Sequence, residues 1–256
     1  MRITKITFVF FILFFQTSRN SYGQIVNIES ARMQSDTVGW QGRMGAAFSF
    51  TQNTQKIFNL GLGAALQYKT KNDQGLWLLL GNLGVLKVSG NRFVSDNLVH
   101  IRYNKKINDW LRWEFFGQHQ NNAVTQIDSR ILLGTGPRFK LLKKQGFRMY
   151  AASLFMLERE KEKTIPVIIH TDFRNSSYLS FTWLPRNNID IVSTTYFQPL
   201  VTKPSDFRIL NQIACTVEAT PHFGLMVNWN YLFDKFPAGT APKTTYSFAA
   251  GISYKL

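Results

Sequence analysis

The last stretch of the chain, residues 244–256, reads TTYSFAAGISYKL. From Tyr246 to Leu256 every second residue is apolar, and the residues between them are small or polar. A period of two indicates a β-strand whose two faces differ. A chain that ends on such a strand, with aromatic residues near both of its ends, is typical of outer-membrane β-barrels.

Segments with this period recur from residue 37 to the end of the chain. They are clearest at residues 38–50, 58–68 and 223–233, where apolar side chains alternate with small, amide or charged ones. The weakest are the third, residues 76–89, which begins apolar on both faces, and the eighth, around residues 179–183. The pattern predicts one all-β domain, a transmembrane antiparallel up-and-down β-barrel of about 12 strands, with about 10 or 14 as alternatives.

The N-terminus predicts export. Arg2 and Lys5 precede an apolar run at residues 6–15, and Ser21 and Gly23 supply small residues after it. This is the arrangement of a secretory signal peptide, cleaved between Gly23 and Gln24, and the run is shorter than the about 20 residues of a spanning helix. The predicted organisation is a signal peptide at 1–23, a short periplasmic segment at 24–36 and the barrel at 37–256.

The composition narrows the ways in which the chain enters a membrane. No run after residue 23 reaches the length of a spanning helix, and a closed barrel is the other structure that satisfies the backbone in lipid. The formal net charge is +15, and Cys215 is the single cysteine, so an internal disulfide is excluded. The positive residues are spread along the chain without a basic face, which argues against a nucleic-acid partner.

The spacing of the connections predicts the orientation. With the N-terminus in the periplasm, the periplasmic turns are short, and the longest connections, about 159–175 and 235–243, fall on the outer side. Short periplasmic turns and longer outer loops are the expected asymmetry. Both termini are therefore expected in the periplasm.

Periodicity alone does not say which face points inward, and a soluble lipocalin-type barrel is the alternative. The charged and glycine-rich face suits a wet lumen better than a packed core. Aromatic residues near the predicted strand ends suit a membrane interface. These are Trp40, Tyr68, Tyr103, Trp113, Trp183, Tyr231, Tyr246 and Tyr254.

Several segments resemble a known family. They are residues 194–199 (TTYFQP) followed by 206–209 (DFRI), residues 128–130 (DSR) leading into 133–136 (LGTG), and the final strand. Over about residues 37–256 the chain resembles the domain-of-unknown-function family typified by the salt-induced outer membrane protein. The terminal Leu256 departs from the Phe that commonly ends such barrels. The resemblance implies an outer-membrane barrel and transfers no catalytic motif.

The charged residues predicted to face the lumen are the main functional candidates. Buried charges need water or partners, so they imply either a hydrated pore or an internal ion-pair network that plugs it. A basic pore would favour anions weakly. The two alternatives are a narrow, weakly anion-preferring pore and a barrel for envelope integrity under stress. The predicted lumen residues are Arg43, Lys87, Arg102, Arg112, Glu114, Arg130, Arg138, Lys140, Arg148, Arg208 and Glu218.

An enzymatic role is not predicted. A lipid-modifying enzyme would need a nucleophile near a histidine, and His119 shares the predicted lipid-facing row with Trp113 and Phe115, without a His-x-Ser pattern. No metal-ligand spacing is present, so neither metal nor cofactor is expected. A lipid-modifying enzyme and a loop-mediated binding protein remain the alternatives.

Two charged segments are expected on the outer side of the membrane. Residues 158–163 (EREKEK) alternate in sign and are expected in a solvated loop, although they are also able to contact lipopolysaccharide phosphates. Asp206 and Arg208 flank the loop at 199–204 and are interpreted as residues that position it, with an ion pair between them at the rim as the alternative. The expected partners are outer-membrane lipids, lipopolysaccharide and the barrel-assembly machinery, and the oligomeric state is left open.

Overall fold

A computed structural model describes residues 28–33, 38–52, 56–88, 91–123 and 125–256. The predicted signal peptide, its cleavage site and the junction at residues 34–37 lie outside the described residues. Among the residues described, no helix has both the length and the apolar character needed to cross a membrane.

The described chain forms 12 strands and a short 3₁₀ helix, Lys71–Asp73. The alternation seen in the sequence accounts for the strands, because a period of two gives each of them one apolar and one polar face. The strands are β1 (Gly39–Gln52), β2 (Lys56–Lys69), β3 (Gly75–Val88), β4 (Asn91–Lys106), β5 (Leu111–Asn122), β6 (Ile127–Lys144), β7 (Phe147–Glu162), β8 (Ile169–Arg186), β9 (Ile189–Pro199), β10 (Phe207–Glu218), β11 (Phe223–Asp234) and β12 (Thr244–Lys255).

The strands close into one barrel. Each strand pairs antiparallel with its neighbours in sequence, and β12 pairs with β1. The prediction of an all-β, up-and-down barrel of 12 strands is confirmed, including the two weakest strands, β3 and β8. At the closing seam a Cβ on Gly251 would lie 2.3 Å from the carbonyl oxygen of Ala46, so the two backbones meet there only because position 251 is glycine.

Because the strand number is even, β1 begins and β12 finishes at the same end of the barrel, here called the proximal end. The opposite end is called the distal end. The proximal turns are short, as predicted. The long distal loop predicted at about 159–175 is wrong: β7 runs to Glu162 and β8 begins at Ile169, which leaves a connection of residues 163–168. The loop-binding alternative therefore loses most of the loop on which it depended.

The two faces of the barrel are the reverse of those of a soluble barrel. Apolar side chains point outward, with Phe48 at 75% and Leu133 at 58% exposure, whereas inward Glu114 and Gln212 are at 0% and 1%. An apolar outer surface of this kind is favourable in contact with lipid and unfavourable in contact with water. The lipocalin-type alternative is therefore excluded.

The predicted interface aromatics lie near strand ends. At the proximal end, aromatic residues on β1 to β5 stand side by side, with ring centroids 4.8 Å apart for Trp40 and Tyr68 and 4.5 Å apart for Trp77 and Tyr103. Tyr231 and Tyr246 pair across β11 and β12 near the distal end. The remaining three, Trp113, Trp183 and Tyr254, lie near the proximal end of their strands.

Candidate functional site

The lumen holds the short segment of residues 28–33, here called the plug segment. Ile28 is buried and packs on Leu78 and Leu80 of β3, which point inward and are almost fully buried. This contact explains why β3 begins apolar on both faces: one face meets the surroundings of the barrel and the other meets the plug segment. An inward leucine pair in a polar lumen is stabilised by the apolar partner that covers it.

The wall also holds the backbone of the plug segment. The Gln67 amide of β2 accepts a hydrogen bond from the Met33 N–H at 3.1 Å and donates one to the Met33 carbonyl at 3.2 Å. Within the segment, the Arg32 N–H donates to the Glu29 carbonyl oxygen at 3.2 Å and forms a turn. The turn presents the side chains of Glu29 and Arg32 to one region of the wall.

Glu29 and Arg32 join an ion-pair network, here called the plug cluster, with Arg102, Glu114, Arg138 and Tyr178. The carboxylate of Glu29 accepts hydrogen bonds from Arg32 at 2.8 Å and from Arg138 at 2.8 Å. Both side chains of the segment are buried, with Glu29 at 3% and Arg32 at 6% exposure. The segment is therefore bound to the wall by paired charges shielded from water.

Glu114 of β5 is the acidic centre on the wall. It accepts hydrogen bonds from Arg32 at 2.9 Å, from Arg102 at 3.1 Å and from the Tyr178 hydroxyl at 2.8 Å. Arg138 lies 3.6 Å away and also covers the ring of Tyr150, 4.0 Å from its centroid. Two carboxylates and three guanidinium groups thus satisfy one another, as buried charges require.

The charge of Glu29 is stabilised by its surroundings. Burial acts against the ionised form, but the guanidinium groups of Arg138 and Arg32 outweigh it and hold the pKa of the Glu29 carboxyl below its ordinary value. Glu29 is therefore ionised at neutral pH, and its ion pairs weaken only as the pH falls through that lowered pKa.

A second network, here called the distal cluster, lies in the lumen nearer the distal end. Glu158 of β7 lies 2.6 Å from Arg208, 2.9 Å from Arg130 and 3.1 Å from Arg174. Arg208 also donates to Asp234 of β11 at 2.7 Å. The cluster joins β6, β7, β8, β10 and β11 across the lumen, so it holds well-separated parts of the wall together.

The charge run at 158–163 therefore has a different role from the predicted one. Since β7 continues to Glu162, alternation turns Glu158, Glu160 and Glu162 inward, where they are buried, and leaves Arg159 and Lys161 exposed on the outside. The interpretation as a solvated loop is wrong for the three glutamates. The candidate pair of Asp206 and Arg208 is also wrong, because Asp206 pairs with Arg174 at 3.1 Å.

Small cavities remain around the plug segment. A cavity of ≈ 130 Å³ lies between the plug and distal clusters. Another, of ≈ 110 Å³, lies between the segment and a wall rich in glycine and alanine. A third, of ≈ 130 Å³, opens towards the proximal end and is basic, because Lys69, Arg112, Arg138, Lys140, Lys143 and Arg148 line it and Asp73 is the acid among its lining residues.

Most of the predicted lumen residues lie on inward-facing rows of the wall. These are Arg43, Arg102, Arg112, Glu114, Arg130, Arg138, Lys140, Arg148, Arg208 and Glu218. Lys87 is the exception: it is exposed, stands opposite the outward Phe58 and shares the outward row of Leu83. The prediction that Lys87 lines the lumen is therefore wrong.

Several members of the two clusters were not predicted from the sequence. Arg174 and Asp234 each follow an outward aromatic residue, Phe173 and Phe233, so their inward direction was readable from alternation. Glu29 and Arg32 carry no such signal, because the plug segment has no period. Which wall residues Glu29 and Arg32 contact is determined by the closed barrel.

On the outward face, His119 of β5 has a polar neighbour that the sequence did not reveal. Its Nε2 lies 3.2 Å from Ser129 Oγ of β6, and both side chains face away from the lumen. The two residues are ten positions apart along the chain, so no short motif connects them. A histidine and a serine at this distance are able to share a proton.

Comparisons with known proteins agree with this architecture. Residues 44–256 match the family described as "Protein of unknown function, DUF481". No curated protein sequence matches the chain.

Among solved structures, the NanC porin is similar with a TM-score of 0.52 at 11% identity, covering 84% of this chain and 100% of that one. The translocator domain of the autotransporter NalP from Neisseria meningitidis has a TM-score of 0.48 at 11% identity over 90% and 92% of the two chains. LpxR from Salmonella typhimurium has a TM-score of 0.43 at 7% identity over 84% and 99%. The likeness to NanC is one of fold, and it supports an outer-membrane location.

Proposed function

We propose that this chain, which belongs to the DUF481 family, is a non-enzymatic outer-membrane barrel whose narrow pore is closed by the plug segment and opens when that segment leaves. Both termini lie on the periplasmic side in this proposal, so the plug segment enters from the periplasm. The observation that carries the proposal is the position of Glu29, bound between Arg32 and Arg138 in the middle of the lumen.

The contacts of the plug segment suit a part that is able to leave. It is held by side-chain ion pairs, by the packing of Ile28 on Leu78 and Leu80 and by two hydrogen bonds to one glutamine, and it adds no strand to the barrel wall. The twelve strands of the barrel wall complete their hydrogen-bond pairing without the plug segment. Its departure would leave a lumen whose wall carries many charged and amide side chains beside an apolar cluster of Leu154, Tyr178 and Tyr196. The polar rows of such a lumen are compatible with water.

The proximal cavity supports a weak preference for anions. Lys140 and Lys143 line it, and neither forms an ion pair with any of the described residues. In contrast, Arg102, Arg130, Arg138 and Arg208 are neutralised by acidic partners in the two clusters. The selectivity therefore depends on the lysines of the proximal cavity more than on the paired arginines.

We expect neutralisation of these lysines to change ion selectivity. In a chain that begins at Val38 and so lacks the plug segment, Lys140→Gln with Lys143→Gln should move the reversal potential in a KCl gradient towards that of a non-selective pore. Lys203→Gln, on an exposed distal connection, is the matched control and should leave the reversal potential unchanged. An unchanged potential in the double variant would contradict the assignment.

The contact of His119 with Ser129 favours a second candidate function, acyl-ester hydrolysis at the membrane surface. Ser129 Oγ would attack an ester carbonyl while His119 Nε2 accepts its proton, the alcohol would leave with that proton, and water would then hydrolyse the acyl-enzyme. Among the described residues, no third group orients the histidine through Nδ1, which is why this candidate ranks second.

Esterase activity in detergent micelles with a short-chain nitrophenyl ester tests this candidate. We expect no difference between the native chain and Ser129→Ala, because the proposed function is not enzymatic. A burst of product that Ser129→Ala abolishes, while Ser153→Ala retains it, would replace the pore proposal with the hydrolytic one.

A further inference from the structure

An apolar groove runs along the outward face of β3 to β8. It is a broad, open depression of ≈ 920 Å³ bordered by aromatic side chains such as Tyr103, Phe115 and Phe155. Gly117 of β5 forms part of its floor: a Cβ there would meet only Ile101 and Leu133, each at an ordinary 3.5 Å. Gly117 therefore leaves room in the floor of the groove for a side chain or for part of a ligand.

The distal limit of the groove is polar and positive. On β5 the outward row continues from Gly117 to His119, which stands opposite Ile131 of β6, and Ile131 stands opposite Arg159 of β7. Since neighbouring strands are about 4.8 Å apart, the backbones at His119 and Arg159 are within about 10 Å. Lys161, opposite Ser129, lies one step further towards the distal end.

Arg159 has no counter-charge on the protein. It is exposed and makes no ion pair or hydrogen bond with another residue of the described chain. Lys161, in contrast, pairs with Asp128 at 2.7 Å. A cation at the edge of an apolar surface interacts favourably with a lipid phosphate, and the effect is largest where the headgroup region meets the hydrocarbon.

We infer that the groove and its positive limit form a binding site for one acyl lipid whose headgroup carries a phosphate monoester and a net negative charge. The acyl chain lies over Gly117 between the aromatic side chains that border the groove, and the phosphate lies at Arg159, with His119 and Ser129 as hydrogen-bonding groups beside it. The site lies in the distal half of the membrane. It concerns the outer surface only, so it does not depend on whether the lumen conducts.

Native mass spectrometry of the folded, detergent-solubilised chain tests the site. Diphosphoryl lipid A and phosphatidylcholine are added at equal concentration, and the retained lipid is counted per barrel. One molecule of diphosphoryl lipid A should be retained in preference to phosphatidylcholine. Arg159→Gln should reduce retention about fivefold, the effect expected of one cation near a charged membrane surface.

Gly117→Leu fills the groove without a backbone clash and should also abolish the preference. Its matched control is Ala250→Leu, an exposed outward position on β12, across the barrel from β6. Arg186→Gln, an exposed cation at the proximal end of β8, is the control for charge. Heat-modifiable mobility on gels confirms that each variant is folded.

Equal retention of the two lipids by the native chain would overturn the inference. So would a Gly117→Leu chain that binds lipid A as well as Ala250→Leu does.

Discussion

Replacing Glu29 with lysine is expected to turn a closed barrel into one that passes chloride. The substitution puts a fourth cation against Arg32, Arg102 and Arg138, and it removes the carboxylate that accepts hydrogen bonds at 2.8 Å from Arg32 and Arg138. Removing one partner of a buried ion pair costs about 3–5 kcal/mol. This corresponds to a change of about 100-fold or more in the ratio of closed to open barrels. Chloride efflux from vesicles that contain the folded protein measures the effect.

Glu218→Lys is the matched control for Glu29→Lys. It reverses an inward acid that pairs with Arg43 and Lys255, at 3.9 Å and 3.5 Å, and that does not contact the plug segment. Efflux should stay near that of the native protein. If both variants leak alike, charge reversal in the lumen is enough to cause leakage and the plug segment is not the closing part.

The largest expected effect on stability comes from Glu158→Leu in the distal cluster. The native carboxylate is 1% exposed and lies within ion-pair distance of Arg130, Arg174 and Arg208. Leucine would leave guanidinium groups from three strands facing one another without their shared acid, at a cost of about 3–5 kcal/mol. Urea unfolding of the barrel in lipid vesicles, followed by tryptophan fluorescence, is the measurement.

The control for Glu158→Leu is Asp128→Asn, which breaks the exposed Lys161 pair at the same end of the barrel. Exposed ion pairs contribute about 0–1 kcal/mol, so its unfolding midpoint should hardly move. Equal destabilisation by the two variants would show that the distal cluster is no more than an ordinary set of surface charges.

Alternation was a sufficient signal for the barrel itself. The rows from Tyr246 to Leu256 and from Phe223 to Phe233 predict strands with opposite faces, and the structure contains them as β12 and β11. Such strands need no tertiary information, because the pleat alone sends successive side chains to opposite faces. The correct number of strands follows from the same repetition.

Alternation gave wrong predictions at two places in the chain. Residues 158–163 alternate in sign, which was interpreted as solvation, although alternation in a continued strand puts the glutamates inside. Lys87 shows the opposite error: the start of β3 is apolar on both faces, so the inward row there was not identifiable from periodicity. Leu78 and Leu80 face inward because Ile28 covers them.

No local pattern in the sequence predicts the plug cluster. Glu29 and Arg138 are separated by 109 positions, and Arg32 and Glu114 by 82. Only the closed barrel brings them together, since each faces the lumen from a different part of the chain. A pattern read along the sequence identifies which side chains are inside but not which of them meet.

Single-channel recording in planar bilayers tests most directly the claim that the plug segment closes the pore. The chain that begins at Gln24 is compared with the chain that begins at Val38, in the same lipid and in a KCl gradient. We predict that the longer chain gives no conductance steps at low voltage and that the shorter chain gives stable steps with a reversal potential on the chloride side. Equal conductance of the two chains would contradict the account.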